Sequence, residues 1–340
     1  MSGRERFAQQ YPGVFFLDQN RVAELSEYAA KFDWLDTGEH IASVERAGEG
    51  NMNCTLRVFT SKRSFILKQA RPWVEKYPSI AAPSHRAFVE ASFYREAQRQ
   101  AVSTMLPALL GFDPHSHMLM LEDLNGARDF TFLYAGGVLS SGEIRSLVLC
   151  LVDLHSLQVS PELKAVFANR TMRDLNHEHI FDIPLRENNG LDLEAITPLL
   201  ECAAKKIRAD TRYCRRISEL GELYLADGEV LVHGDSFPGS WLQTSAGVKV
   251  IDPEFCFAGA PEFDLGVMLA HCYLSRQPDS VVETIPELYC AIRPADIRLT
   301  KQFAGAEIMR RLMGVSQLPL AHDIQVKEML LELSRSLVLN

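Results

Sequence analysis

The chain has 340 residues, of which 47% are hydrophobic and 23% charged, and it carries a formal net charge of -9. That composition belongs to a globular protein with a sizeable core and excludes disordered and fibrous architectures. The acidic balance and the lack of an apolar run of about 20 residues argue against nucleic acid and membrane as partners.

The predicted elements begin with a short helix over 21–31, where Val22, Leu25 and Tyr28 recur at helical spacing. Strands follow at Ile41–Val44, Cys54–Phe59 and Ser64–Lys68, the first two separated by a glycine-rich turn. A helix is expected over 84–102, with Ser84 as its cap and Phe88, Ala91 and Ala97 on its inner face. Met118–Leu121 reads as a strand that runs into the polar turn 122–126, taken as a hinge. Beyond it the pattern turns helical: 142–157, two helices over 193–226, then 262–276 and 296–313. Short strands interrupt this at Glu229–Asp235, Ser240–Gln243 and Val248–Asp252. A small β-rich lobe followed by a larger helical lobe is the expected organisation.

The seven cysteines are scattered and form no C-x-x-C pair. Such a pattern speaks against a disulfide framework or a zinc site. With no apolar core for a signal peptide in MSGRERFAQQ, the expected setting is the reducing cytoplasm.

The strongest chemical signal lies in Leu231-Val-His-Gly-Asp-Ser-Phe-Pro-Gly-Ser-Trp-Leu242 and Val250-Ile-Asp-Pro-Glu-Phe255. In each, an apolar strand stops abruptly at a carboxylate, Asp235 or Asp252. A single such turn would be unremarkable. Two of them 17 positions apart, with Glu254 and Ser240 nearby, supply the oxygen ligands that suit Mg²⁺.

H-G-D-x-x-x-x-S followed by I-D-P-E-F resembles the catalytic and metal loops of the aminoglycoside phosphotransferase and choline kinase superfamily. The resemblance implies an α+β, protein-kinase-like bilobal fold. It divides the chain into a small antiparallel β-rich N-lobe over 1–123, which binds nucleotide, and a larger, mostly helical C-lobe over 124–340. It also implies ATP and Mg²⁺, with Asp235 orienting the acceptor hydroxyl and Ser240, Asp252 and Glu254 holding the metal. Ala47-Gly-Glu-Gly-Asn-Met-Asn53 stands where a nucleotide loop is expected, giving Gly48, Gly50 and Asn51 to the phosphates. Lys68, flanked by apolar residues, needs an anionic partner. Glu90 is the preferred one, and Glu96 is expected to face solvent. Glu122 and Leu124 mark the linker whose backbone would read the adenine edge. Asp264, in Phe263–Gly266, is expected to brace the catalytic loop, and His155 is expected to be a packed core residue.

Ser240 in place of the commoner Asn, the Asp252-Pro-Glu254 turn and Glu307-Ile-Met-Arg-Arg-Leu-Met-Gly314 are similar to the methylthioribose kinases. That likeness assigns Arg310 and Arg311 to the substrate. As helix neighbours about 100° apart, the two are not expected to point the same way. Ser236-Phe-Pro238, beside the acceptor, departs from that family's Leu-His-Thr. The expected activity is therefore transfer of the γ-phosphoryl group of ATP to a small-molecule hydroxyl, first of all on a 5-methylthioribose-type sugar. Aminoglycoside, choline and homoserine acceptors follow, then a catalytically inactive kinase fold that only binds. No nucleic acid or membrane partner is expected, and a homodimer is left open.

Overall fold

The computed structural model describes residues 3–48, 50 and 52–340. The chain divides into two compact units: residues 1–99 with 106–126, and residues 100–105 with 127–340.

In the first unit, helices α1 (Gly3–Gln10) and α2 (Val22–Lys31) precede strands β1 (Ile41–Arg46), β2 (Cys54–Thr60) and β3 (Ser64–Gln69). A small hairpin, β4 (Trp73–Val74) and β5 (Tyr77–Ala81), leads to helix α3 (Arg86–Ala97) and strands β6 (Leu109–Asp113) and β7 (Met118–Glu122). The five long strands form one antiparallel sheet in the order β1-β2-β3-β7-β6. Strand β3 is central and buried on both faces. Alternation sends Phe65 and Leu67 into a core with Leu17, Leu25, Ala29, Trp34, Leu56 and Val58, and sends Lys68 to the opposite face. Helix α3 starts two residues later than expected, and no side chain caps it. It also stops at Ala97, and a 3₁₀ turn over Ala101–Met105 belongs to the second unit.

The second unit contains two more strand groups. Strands β8 (Arg128–Asp129), β10 (Trp241–Thr244) and β11 (Gly247–Val250) form one, and β9 (Val230–Val232) pairs with β12 (Phe257–Gly259). Its helices are α4 (Ser141–His155), α5 (Arg170–His177), α6 (Leu193–Ile196), α7 (Leu200–Ala209), α8 (Thr211–Leu225), α9 (Pro261–Leu274), α10 (Asp279–Cys290), α11 (Ile297–Met313) and α12 (Ile324–Leu339). The stretch 193–226 thus holds three helices where two were expected. Asp210 ends one and caps the next, accepting from the Arg212 and Tyr213 N–H groups. Helices α9 and α11 are buried around almost their whole circumference. A helix of that kind lies inside its unit rather than on its surface. Among the described residues, no helix is long and apolar enough to cross a membrane.

Candidate active site

In the first unit, Lys68 and Glu90 are each almost fully buried, and Nζ donates to Oε1 at 2.8 Å. Two buried charges in that geometry satisfy each other's desolvation, which an apolar strand could not do for a lone lysine. Glu96 departs from expectation: it is only 8% exposed and accepts from Arg99 at 3.2 Å. The glycine turn between β1 and β2 closes through Ala47 N–H to Thr55 O at 3.1 Å, with Gly48 at a φ of +69° that favours glycine. Gly50 stands in the same turn, where a Cβ would come 3.8 Å from Thr55 Oγ1, and Asn51 lies outside the described residues. Asn53, at the end of the turn, is buried and accepts from Arg86 Nε at 3.0 Å. Arg86 also donates to the carbonyls of Met52 and Arg71 at 2.9 and 2.8 Å. This guanidinium anchors the turn to α3, a role with no local signal in the sequence. The Glu122 N–H donates to Ala108 O at 2.9 Å, and the Glu122 carboxylate accepts from Ala108 N–H at 3.0 Å. The Glu122 N–H is therefore spent on the sheet edge. Asp123 is held by Arg57 at 3.0 Å, and Leu124 follows in the turn.

In the second unit, β9 delivers the chain to His233-Gly234-Asp235. Gly234 has a φ of +85°, and a Cβ there would meet Phe255 O at 2.2 Å, so no other residue fits. Asp264, near the start of α9, accepts from the His233 and Gly234 N–H groups at 2.6 and 2.9 Å. It braces the loop and does not cap its own helix. His155 Nε2 donates to the same carboxylate at 3.1 Å, and Tyr289 OH lies 2.8 Å from His155 Nδ1. Because a carboxylate only accepts, Nε2 carries the proton and the tyrosine donates to Nδ1. Burial pushes the Asp264 carboxyl up, but His155 and the His233 N–H outweigh it and hold the group below its ordinary range.

Asp235 itself is 18% exposed along its side chain. Its Oδ1 accepts from Arg310 Nη1 at 3.4 Å and from Arg311 Nη2 at 3.2 Å. Both arginines are buried and meet one carboxylate, contrary to the expectation from their helical phase. The phase fixes where the Cβ atoms point, and a long side chain can still turn its head toward a shared anion. A second anion completes the convergence. Glu307, one turn back on α11 and 1% exposed, accepts from Arg310 Nη1 at 3.0 Å and Arg311 Nε at 2.6 Å. His271 Nε2 donates to Glu307 at 3.3 Å, and Tyr134 OH donates to His271 Nδ1 at 2.6 Å. Burial alone would raise the Glu307 carboxyl, but the two guanidiniums hold it well below its ordinary value. Burial likewise drives the His271 imidazole down to about 4, so it is neutral at pH 7. The Arg311 guanidinium lies 4.8 Å from the Phe237 ring centre, and that ring lies 5.3 Å from the imidazole of His271.

Ser240, expected among the metal ligands, turns its hydroxyl toward its own loop. Its hydroxyl accepts from Phe237 N–H at 3.0 Å and lies 2.9 Å from Phe237 O and 3.2 Å from Asp235 O. The hydroxyl therefore closes the 235–240 loop upon itself. The Ser240 carbonyl accepts from Ile251 N–H at 2.9 Å, and His233 Nε2 donates to Ile251 O at 3.0 Å. These bonds tie the Asp235 loop to the turn that presents Asp252, which is half-buried at a φ of +64°. Glu254 is buried just beyond it, and its backbone carbonyl accepts from Asn169 at 3.2 Å. Among the described residues no group of three His, Cys, Asp or Glu side chains is gathered for a metal. Asp252 and Glu254 offer carboxylate oxygens, the ligand type that Mg²⁺ takes beside phosphate and water.

Glu307, His271, Tyr134 and Phe237 were not among the expected site residues. Glu307 had a signal, since it stands three and four positions before the arginines, the spacing at which helix side chains meet. Tyr134 and His271 are 137 positions apart, and nothing local connects them.

The chain and its fold have known relatives. A methylthioribose kinase of Exiguobacterium sibiricum is 28% identical over 255 residues, covering 71% of this chain and 64% of that protein. The chain thus matches less than two thirds of that relative's length. A methylthioribose kinase of Bacillus pumilus is 27% identical over 335 residues, covering 85% of this chain and 82% of that one. The crystal structure of a spectinomycin phosphotransferase with ADP and spectinomycin superposes with a TM-score of 0.57 at 11% identity, over 94% of this chain and 98% of that one. The protein-kinase-like bilobal fold is therefore shared. The profile of the phosphotransferase enzyme family matches residues 43–300, most of the chain, and the chain belongs to that family.

Proposed function

We propose that this protein is an ATP- and Mg²⁺-dependent kinase that phosphorylates a hydroxyl of a neutral, pentose-like sugar, with 5-methylthioribose as the first acceptor to test. The observation that carries the reading is the seating of Asp235. Both guanidiniums hold its Oδ1, while among the described residues Oδ2 takes no hydrogen bond from the protein. That oxygen is the one offered to an acceptor hydroxyl, which it orients and whose proton it receives. Phosphoryl transfer through a loose transition state asks for alignment and charge neutralisation more than for covalent help. Arg310 and Arg311 are assigned to the acceptor and the moving phosphoryl group, as forked donors. Lys68, poised by Glu90, is assigned to the phosphates of ATP. Asp252 is assigned to Mg²⁺, with Glu254 beside it, and the ion's part when bound is to offset phosphate charge. Ser240 serves by holding the loop and leaves the metal to the carboxylates. The curated relatives named methylthioribose kinase support the choice of acceptor.

The test is a transfer assay with Mg-ATP against 5-methylthioribose, other pentoses, choline and an aminoglycoside. Phosphorylated pentose is the expected product. Turnover of choline or the aminoglycoside, with no pentose phosphorylated, overturns the acceptor assignment. Asp252→Asn is expected to weaken binding of Mg-ATP far more than binding of metal-free ATP, and equal affinities across a magnesium titration would refute its role.

A further inference from the structure

We propose that Glu307 sets the acceptor specificity of this site, by cancelling one of the two guanidinium charges that face Asp235 so that the site fits an uncharged acceptor. The inference rests on the kinase reading above and names the residue that decides between acceptor classes.

Two neighbouring arginines, taken alone, form a site for an anion. Here they do not stand alone. Glu307 is buried between them and bonded to both, at 3.0 Å to Arg310 Nη1 and 2.6 Å to Arg311 Nε. Asp235 takes a further donor from each. The remaining polar neighbour, His271, spends its Nε2 proton on Glu307 and its Nδ1 on Tyr134. Formal charge in the cluster at neutral pH is then two cations against two anions, with a neutral imidazole and phenol. A substrate phosphate or carboxylate entering here would meet no net positive charge. An uncharged polyol, in contrast, finds donors without excess charge. Within the cluster Arg310 Nε is buried and has no hydrogen-bond partner among the described residues. Glu307 touches the reacting carboxylate only through the arginines, so it is a positioning and charge-setting residue.

The substitution Glu307→Gln keeps the shape and removes the charge. It is expected to make inorganic sulfate a better competitor of the sugar by about tenfold, the effect of one uncompensated charge close by in a partly screened site. The dissociation constant for ADP should stay within about twofold, because the nucleotide is not held by this cluster. The double variant Glu307→Gln/Arg310→Gln restores the charge count and should return sulfate inhibition toward the wild-type value. A purely structural role for Glu307 predicts no such return. If Glu307→Gln does not fold, Arg310→Gln alone carries the test in the opposite sense. Sulfate should then inhibit less, and a cationic acceptor should gain relative to the neutral sugar. Unchanged sulfate competition in the folded variants overturns the proposal. Calorimetric titration of sulfate into wild type and variant reads the same charge without turnover. If wild type phosphorylates no sugar, the kinase reading falls, while the calorimetric comparison still decides the role of Glu307.

Discussion

Two buried chains of one pattern, tyrosine–histidine–carboxylate, converge on the Asp235 loop and act on it in different ways. One runs Tyr289–His155–Asp264 and ends on the backbone N–H groups of His233 and Gly234. The other runs Tyr134–His271–Glu307 and ends on two guanidiniums that reach the Asp235 side chain. In both, a tyrosine fixes the histidine tautomer and the histidine donates to a carboxylate. The first chain spends its carboxylate on main-chain donors and so fixes the path of the loop. The second spends it on cations and so fixes the charge the loop faces. One pattern thus serves geometry in one place and electrostatics in another, and what separates them is the partner of the carboxylate.

The sharpest way to break the comparison is at Asp264. Asp264→Ala leaves two amide N–H groups and the His155 ring without their acceptor in a fully buried site. Removing one member of such a buried set costs about 3–5 kcal/mol. Urea unfolding should show that loss, together with a fall in turnover. A variant as stable as wild type would mean that the loop holds its path without the brace.

Asp235→Ala removes the end of the second chain and leaves the first intact. Turnover should fall by roughly 10²–10⁴-fold, the scale for an acid–base residue. ATP affinity should change little and the protein should still fold. Near-normal turnover would remove Asp235 from the chemistry.

Of the first chain, Asp264 and His155 were legible in the sequence and Tyr289 was not; of the second, only the far end, Arg310, Arg311 and Asp235, was. Phe263-Asp-Leu-Gly266 marks Asp264, and its loop carries the His-Gly-Asp signature, so the brace has a local sign at each end. Glu307 and the arginines share α11, but that helix is buried all round and shows no polar face from which to read a direction. Four further helices escaped, α1, α5, α10 and α12, two of them for evident reasons. Pro286 sits inside α10 and reads as a breaker, while α5 is short and polar. The buried pair Lys68–Glu90 was found because an apolar strand with one lysine demands a partner. Arg86 was not found, because its partners are mostly backbone carbonyls, which carry no residue identity.

Acid separates the two chains further. His271 is held at about 4 by burial, against an ordinary 6.5. Between those values the unfolded chain takes up a proton that the folded chain refuses. Stability is therefore complete above pH 6.5 and falls as pH drops toward 4, by up to about 1.4 kcal/mol per unit. Glu307, a depressed carboxylate, contributes stability above its ordinary 4.5 that is lost as pH falls below it. Asp264 is depressed too, and its contribution is lost only below its ordinary 3.8. The second chain should thus weaken first as pH falls. His271→Gln should flatten the dependence of unfolding free energy on pH between 6.5 and 4. An unchanged slope would place the acid sensitivity elsewhere.

The smallest expected effect sits at the far ends of the two chains. Tyr134→Phe and Tyr289→Phe each delete one hydroxyl that donates to a buried Nδ1, and each should cost about 1 kcal/mol of stability, the net worth of a hydrogen bond. The two differ in what reaches catalysis. Loss of the Tyr134 hydroxyl frees His271 to rotate or exchange its tautomer, which loosens Glu307 and through it both arginines. The effect should then show as a higher KM for the acceptor with little change for ATP. Loss of the Tyr289 hydroxyl loosens His155, but Asp264 keeps its two backbone donors, so kinetic constants should hold while stability drops. Equal kinetic effects of the two substitutions would show that the chains do not divide geometry and charge between them.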